Sequence, residues 1–316
     1  MNADVVYITQ HGPLWDWRVA ADLFLGGAGV GALLFAVFLD ERFDGKYRRI
    51  CHSAAILSPV LIAAGLFLLV LKLGQPMNMF KTWLNFNPTA PLWWGSIFQP
   101  LLVLGAIVYA LRWHAGKEVD SFRRWLGRLL TPLALIVGAY HGLLLTVLVS
   151  RPLWNTGPTV VAALLGFAST GIAVVMLVHL IRMKIAGRLA DDGHVSEFLR
   201  NMRIVRNILF AVILLQLGTF FFWWLSLRFG SLEQREALAA ANEAYGPMFW
   251  WLGIGLGLIL PLIVGWLVVL RGESVHPRLE VSVIWVTSAM ILIGGFFFRL
   301  AVVLGGQVPL PIHTPV

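Results

Sequence analysis

Apolar runs of about twenty residues, each closed at both ends by charged or turn-forming residues, dominate the chain. Coiled as helix, a run of that length spans the hydrocarbon core of a bilayer. Eight such runs are present, at about 18–39, 52–73, 92–113, 129–149, 158–181, 206–227, 248–270 and 279–304. The first, Arg18–Leu39, extends roughly 33 Å at about 1.5 Å per residue. It has no basic segment before it and no small-residue cleavage site after it, so it reads as a span and not as a signal peptide. The pattern predicts an all-α polytopic membrane protein with eight transmembrane helices.

Composition agrees. Of 316 residues, 59% are hydrophobic and 13% charged, and mean hydropathy is +0.80. Those values exclude an ordinary soluble domain and a disordered chain. The net charge of +8 does not call for nucleic acid once the basic residues are placed. Seventeen of the 24 Lys and Arg fall in the loops after spans 1, 3, 5 and 7, and four separate loops contribute. The positive-inside bias puts those loops in the cytoplasm and both termini on the outer, periplasmic side.

A short motif repeats. Leu25-Gly26-x-Ala28-x-x-Gly31 returns 140 residues later as Leu165-Gly166-x-Ala168-x-x-Gly171, and each copy opens a run of four spans. This predicts two four-helix bundles related by a parallel repeat. Residues 1–181 carry the first bundle together with span 5, which starts the repeat. Residues 182–206 form a polar cytoplasmic linker with a short surface helix, and 158–316 hold the second bundle.

Ionisable side chains inside a bilayer are costly and mark function more often than packing. Asp22, Lys72, Tyr140, His141 and Arg299 all map to the outer half of their spans, with His141 about 13 Å deep, while the deep inner half is almost devoid of titrating groups. A cluster open to one face suits a ligand that carries protons better than a continuous proton wire. Structural alternatives are an ion pair of Asp22 with Lys72 or Arg299, and snorkelling of the two bases to the outer headgroups. The outer loop after span 2 carries Lys72-Leu73-Gly74-Gln75-Pro76 and then Asn87-Pro88-Thr89-Ala90-Pro91-Leu92-Trp93-Trp94-Gly95. It reads either as an aromatic belt or as a fixed loop that shapes a pocket or docks a partner.

Other chemistries fit poorly. A single cysteine, Cys51, rules out an iron–sulfur framework within the chain. A b-type haem needs facing histidines, but His52 and His179 share only the inner edge and His141 has no partner at its depth. No metal site is expected. Gly26–Gly31 lies inside a span and reads as helix packing, not as a phosphate loop. A secondary transporter built on the repeat remains an alternative, as does a b-type cytochrome anchor.

These segments together resemble the NrfD/PsrC family, the membrane subunit of polysulfide-reductase-like complexes. Trp15-Asp16-Trp17 with Asp22-Leu23-Phe24-Leu25-Gly26-Gly27 is similar to the family's first helix, and Leu73-Gly74-Gln75-Pro76 to its Asp-Leu-Gly-Arg-Pro element. Asn87-Pro88-Thr89-Ala90-Pro91 with Trp94-Gly95 resembles its Asn-Pro loop. Tyr140-His141-Gly142-Leu143-Leu144-Leu145 and Arg151-Pro152-Leu153-Trp154-Asn155 resemble its Tyr-Thr-Gly and Pro-x-Trp-Asn signatures. The strong motifs cover residues 15–171. The resemblance implies a bacterial cytoplasmic (inner) membrane protein with no haem or cluster of its own and a quinone pocket within 15–155, near the outer face. The substrate would be menaquinone or ubiquinone. Electrons would pass to or from an extrinsic four-cluster iron–sulfur subunit joined to a molybdenum or tungsten bis-pterin (molybdopterin) catalytic subunit. The family's quinone-binding Tyr maps onto Tyr140 and its first-helix polar residue onto Asp22, while a neighbouring Asn position is Val19 here. The element's Asp and Arg are Lys72 and Gln75, so Asp22 and Lys72 would re-form an acid–base pair. Asp22, Tyr140 and His141 are the expected reactive groups. Lys72 and Arg299 would help bind the quinone, and Asn87, Pro88 and Trp94 would dock the partner.

Overall fold

The fold was obtained as a computed structural model, which describes residues 15–43, 45–72, 77–115, 120–271 and 276–310. Among them there is helix and no strand. Eight helical segments are long and apolar enough to cross a membrane, as the hydropathy pattern predicted. They are α1 (Trp17–Arg42), α2 (Arg48–Lys72), α4 (Pro91–His114), α5 (Ser121–Thr146), α6 (Pro158–Ile185), α7 (Asp192–Arg228), the rod from Leu232 to Arg271, and α10 (Pro277–Gly305). A short α3 (Asn78–Leu84) lies in the loop before α4. The Leu232–Arg271 rod consists of α8 (Leu232–Gly246), a wide-turn π-helical stretch Pro247–Ile259, and α9 (Leu260–Arg271).

Helix starts follow local chemistry. The Asp16 carboxylate accepts from the Arg18 N–H at 3.0 Å, and that of Asp120 accepts from the Phe122 and Arg123 N–H groups, capping orphan donors of α1 and α5. Pro91, Pro158 and Pro277 open α4, α6 and α10, where the missing N–H costs nothing. Gly187, at φ 68°, turns the chain after α6 in a left-handed conformation that a Cβ would disfavour.

The polar stretch 182–206 does not form a separate surface helix. A short 3₁₀ turn at Arg188–Ala190 leads directly into α7, 37 residues long. Val195, Phe198, Leu199, Met202 and Val205 recur at helical spacing and are buried, so the helix leaves the apolar zone without losing its packed face. Helices α1 and α5 likewise run past their predicted inner ends. Both thus carry charge into the packed interior: Asp40 of α1 and Arg123 of α5 form a bidentate pair, 2.9 Å on each side and each 1% exposed. The predicted helix ends were short, and a charge whose partner sits on another helix is stabilised only after the two helices pack.

Helix α1 packs on α2, α5, α6 and α10. The two repeat copies meet where α1 crosses α6. A Cβ on Gly31 would overlap the Phe167 carbonyl, and one on Gly171 would overlap the Gly31 backbone. Small residues permit this approach, and dispersion between the two backbones holds it. One end of the molecule is tied together by side chains. Gln307 exchanges two 2.8 Å hydrogen bonds with the Trp15 backbone, Trp154 stacks on Trp15, and the Trp154 indole N–H donates to the Val302 carbonyl at 2.7 Å. The start of α1 and the ends of α5 and α10 therefore share that end.

Candidate functional site

Asp22, His141 and Arg299 each lie five or six residues from that tied end of their helices, about 8–9 Å along the axis. His141 is shallower than its sequence placement, because α5 stops at Thr146. Asp22 is 2% exposed and His141 1%. Both approach Gly26: a Cβ there would stand 3.3 Å from His141 Nε2 and 3.6 Å from Asp22 Oδ1. Gly65 of α2 lets Asp22 fit from the other side, with its Cβ position only 2.8 Å from Oδ1.

Neither atom has a hydrogen-bond partner among the described residues. His141 Nδ1 lies 2.7 Å from the Val137 carbonyl, an acceptor, so Nδ1 carries the proton. In the neutral ring Nε2 is then a bare acceptor. A buried carboxylate oxygen and a buried imidazole nitrogen, both unsatisfied, are costly for a fold to keep without a ligand, a proton or water between them.

Tyr140 precedes His141 on α5, and its ring lies edge-to-face 5.7 Å from that of His141. It is 6% exposed and occupies the space that a side chain at Gly95 of α4 would fill. Gly95 follows Trp93 and Trp94 in the first turns of α4, so the phenol packs beside the helix start that the Asn87–Ala90 loop leads into. Trp94 donates to the Pro88 carbonyl at 2.8 Å, and Thr89 donates to the Asn87 side chain at 2.7 Å. Asn87 and Pro88 are exposed and Trp94 is 41% exposed, so the loop is held in shape with its outer surface free.

Of the two bases, Lys72 falls elsewhere. Lys72 Nζ lies 3.2 Å from the Asp16 carboxylate, which also takes Arg18 at 2.7 Å, so the expected Asp22–Lys72 pair is replaced by a pair at the helix ends. Sequence distance between spans gives no register, and Asp16, one turn and a half nearer the helix end, is the acid that Lys72 reaches. The rest of the Lys72–Pro76 element, Gln75 included, lies outside the described residues.

Arg299 is 8% exposed. It donates to the Gly295 carbonyl at 2.8 Å and lies 3.5 Å from Thr170 Oγ1. Its guanidinium also sits over the rings of Phe24 and Phe167 at 5.5 and 5.2 Å. Ring faces and a carbonyl thus stabilise the charge. Arg299 and His141 line one internal cavity of about 60 Å³ beside Thr159, Thr170 and Gln216, room for a few water molecules. Asp22 and Tyr140 are not among its lining residues.

Gln216, whose side chain accepts from Ser169 at 2.8 Å, escaped the sequence reading. An amide in the middle of an apolar run was the signal for it. Gly65 was missed, and Gly95 was read only as part of the loop motif, for the opposite reason: a glycine announces room, but not for which side chain.

The arrangement can bind a polar headgroup within an apolar wall and exchange protons with it. Among the described residues there is no His, Cys, Asp or Glu group suited to a metal ion.

Comparison with known proteins agrees with the motifs. The family described as "Polysulphide reductase, NrfD" matches residues 8–311. The chain is 26% identical to "Protein NrfD homolog" of Haemophilus influenzae over 93% of its length and 94% of that protein's. It is 27% identical to "Protein NrfD" of Escherichia coli over 79% and 84%, and 24% identical to a polysulfide reductase subunit of Wolinella succinogenes over 93% and 94%. A match across almost every span, together with eight membrane-length helices, means that this protein belongs to the NrfD/polysulphide reductase family of membrane proteins.

Proposed function

We propose that the protein is the quinone-reactive membrane anchor of a molybdopterin/iron–sulfur oxidoreductase. It would exchange electrons between a membrane quinone pool and an extrinsic iron–sulfur subunit. The observation that carries this reading is the pair of buried atoms, Asp22 Oδ1 and His141 Nε2, that have no hydrogen-bond partner among the described residues and both lie within 4 Å of the Cβ position of Gly26, with Tyr140 next to His141. Such a pair fits the carbonyl or hydroxyl oxygens of a quinone or quinol. When bound, the quinone supplies a two-electron, two-proton couple.

The protein's own residues then have distinct tasks. The Tyr140 hydroxyl donates a hydrogen bond to an oxygen of the headgroup. Asp22 and His141 hold or release a proton, His141 at Nε2 because Nδ1 is committed to Val137. The apolar surface of α2, where Phe67 is 61% exposed, suits an isoprenoid tail in lipid. The electrons come from outside the protein. The basic loops argue for a cytoplasmic inner end, a site beneath the periplasmic surface, and a partner docked on the Asn87–Trp94 loop.

The test is quinone turnover by the membrane complex carrying Asp22→Ala or Tyr140→Phe. Each should slow turnover at least a hundredfold while the complex still assembles and its other redox centres still reduce. Unchanged turnover in both variants sinks the site assignment.

A further inference from the structure

The surroundings of Gly26 have a counterpart in the second half of the chain. Gly26 of α1 corresponds to Gly166 of α6, 140 residues on. An offset of 158 residues takes Gly95 to Gly253 and the pair Tyr140-His141 to Phe298-Arg299. Packing follows the same correspondence: α6 packs on α10 as α1 packs on α5, and the Pro247–Ile259 stretch packs on α10 as α4 packs on α5. A Cβ on Gly253 would press on Phe298 at 3.0 Å, as one on Gly95 would overlap Tyr140.

Polarity is what differs. The Cβ position of Gly26 is flanked by a carboxylate oxygen and an imidazole nitrogen, whereas that of Gly166 is flanked by two donors, Arg299 Nη2 at 3.3 Å and Gln216 Nε2 at 3.4 Å. Gln216 is 6% exposed, and its Oε1 accepts from Ser169 at 2.8 Å, which turns the amide nitrogen towards Gly166. Thr170 donates to the Gly166 carbonyl at 2.7 Å, so its oxygen is left to accept from Arg299. Arg299 and Gln216 both line the cavity of about 60 Å³ between α6, α7 and α10, where Phe220, Trp223 and Phe298 supply apolar wall.

Donors converging from two helices select a ligand that accepts. A carboxylate does so with both oxygens, and it matches the planar fork of a guanidinium. In a surround of low dielectric the fixed positive charge favours an anion over a neutral acceptor of the same shape. The volume admits a few heavy atoms and leaves no room for a substituted quinone ring. Phe298 lacks the hydroxyl of Tyr140, and a guanidinium stays protonated where the imidazole of His141 can exchange its proton. This second copy is built to hold a ligand, not to pass protons to it.

We propose that this cavity binds a small carboxylate anion, held between Arg299 and Gln216 across Gly166. Neither residue has a task in the quinone chemistry proposed above, so the two readings fail separately.

The full-length protein in detergent is dialysed to equilibrium against radiolabelled acetate at constant ionic strength, with unlabelled acetate or acetamide as competitor. Acetate should bind to a single saturable class of sites. Acetamide, neutral and of the same shape, should not displace it. Gln216→Leu removes one donor at similar size, and Gly166→Ala puts a methyl group between the two donors; each should weaken binding about tenfold or more. Gly218→Ala, two residues from Gln216 on α7 and with nothing within 4 Å of its Cβ position, should bind as the unaltered protein does. Should Gly166→Ala fail to fold, Gln216→Leu decides alone. Absence of saturable binding, displacement by acetamide as readily as by acetate, or unchanged binding in Gln216→Leu would overturn the proposal.

Discussion

Asp22 Oδ1 and His141 Nε2 lie 3.6 and 3.3 Å from the point that a Cβ on Gly26 would occupy, and no hydrogen bond from the described residues satisfies either atom. The glycine is therefore part of the site. Gly26→Ala introduces a methyl group in tighter than ordinary contact with the His141 imidazole and in ordinary contact with the Asp22 carboxylate. Turnover of quinone should fall at least tenfold in this variant, with a change in stability of about 1 kcal/mol or less, since only side-chain tips need to shift. Kinetics and thermal unfolding on the same preparation would separate the two effects. A large loss of stability with normal turnover would assign Gly26 to packing alone.

Gly31 tests the junction between the two repeat copies. Its Cβ position overlaps the Phe167 carbonyl of the facing helix, so Gly31→Val cannot be relieved by moving a flexible side chain. We expect a loss of about 1–3 kcal/mol or more, the usual range for overpacking at a close contact. Reduced yield of folded protein and a lower denaturant midpoint would register it. Gly218, with nothing within 4 Å of its Cβ position, is the matched control and should tolerate alanine.

The Asp40–Arg123 pair should behave as a buried ion pair. Each side chain is 1% exposed, and the Arg123 guanidinium also lies 3.8 Å from the centroid of the Trp113 ring. Asp40→Ala or Arg123→Ala alone leaves a charge without its partner inside the protein and should cost about 3–5 kcal/mol. Replacing both, as Asp40→Leu with Arg123→Met, should recover most of that loss. A double variant as unstable as the worse single one would show that the pair is irreplaceable in this packing.

Asp16 sets a pH dependence where the start of α1 meets the end of α2. The Arg18 guanidinium hydrogen-bonded to it, aided by Lys72, holds its carboxyl well below the ordinary range, at about 2. In an unfolded chain the same group titrates near pH 4. A depressed folded value means that its stabilisation is complete above about pH 4 and is lost as pH falls towards 2. Asp16→Asn should flatten the acid limb of the stability curve over that window and leave stability above pH 5 lower by a constant amount. Acid unfolding curves of the two proteins would show this, and superimposable curves would contradict it.

Haem is a separate spectroscopic question. His52 and His114 stack face to face, with His52 engaged by Arg182, and His141 Nδ1 is engaged by Val137. The purified protein should show no Soret band at stoichiometric intensity.

Much of the molecule was legible in the amino-acid order. Eight apolar runs announced eight membrane-length helices, because a bilayer permits backbone polar groups only where they are satisfied within the segment. The placement of Asp22, His141 and Arg299 near one end of their helices also followed from counting along the spans. What counting could not supply was rotation and register. Whether Lys72 meets Asp22 or Asp16 depends on how two helices slide past each other, and the packed structure gives it to Asp16. The buried Asp40–Arg123 pair was hidden in the same way, since each residue alone looked like an ordinary charge at a helix end. Linear sequence records which groups sit at which depth. Only the close approach of helices, set by glycines such as Gly26, Gly31 and Gly65, decides which of those groups touch and which are left without a partner.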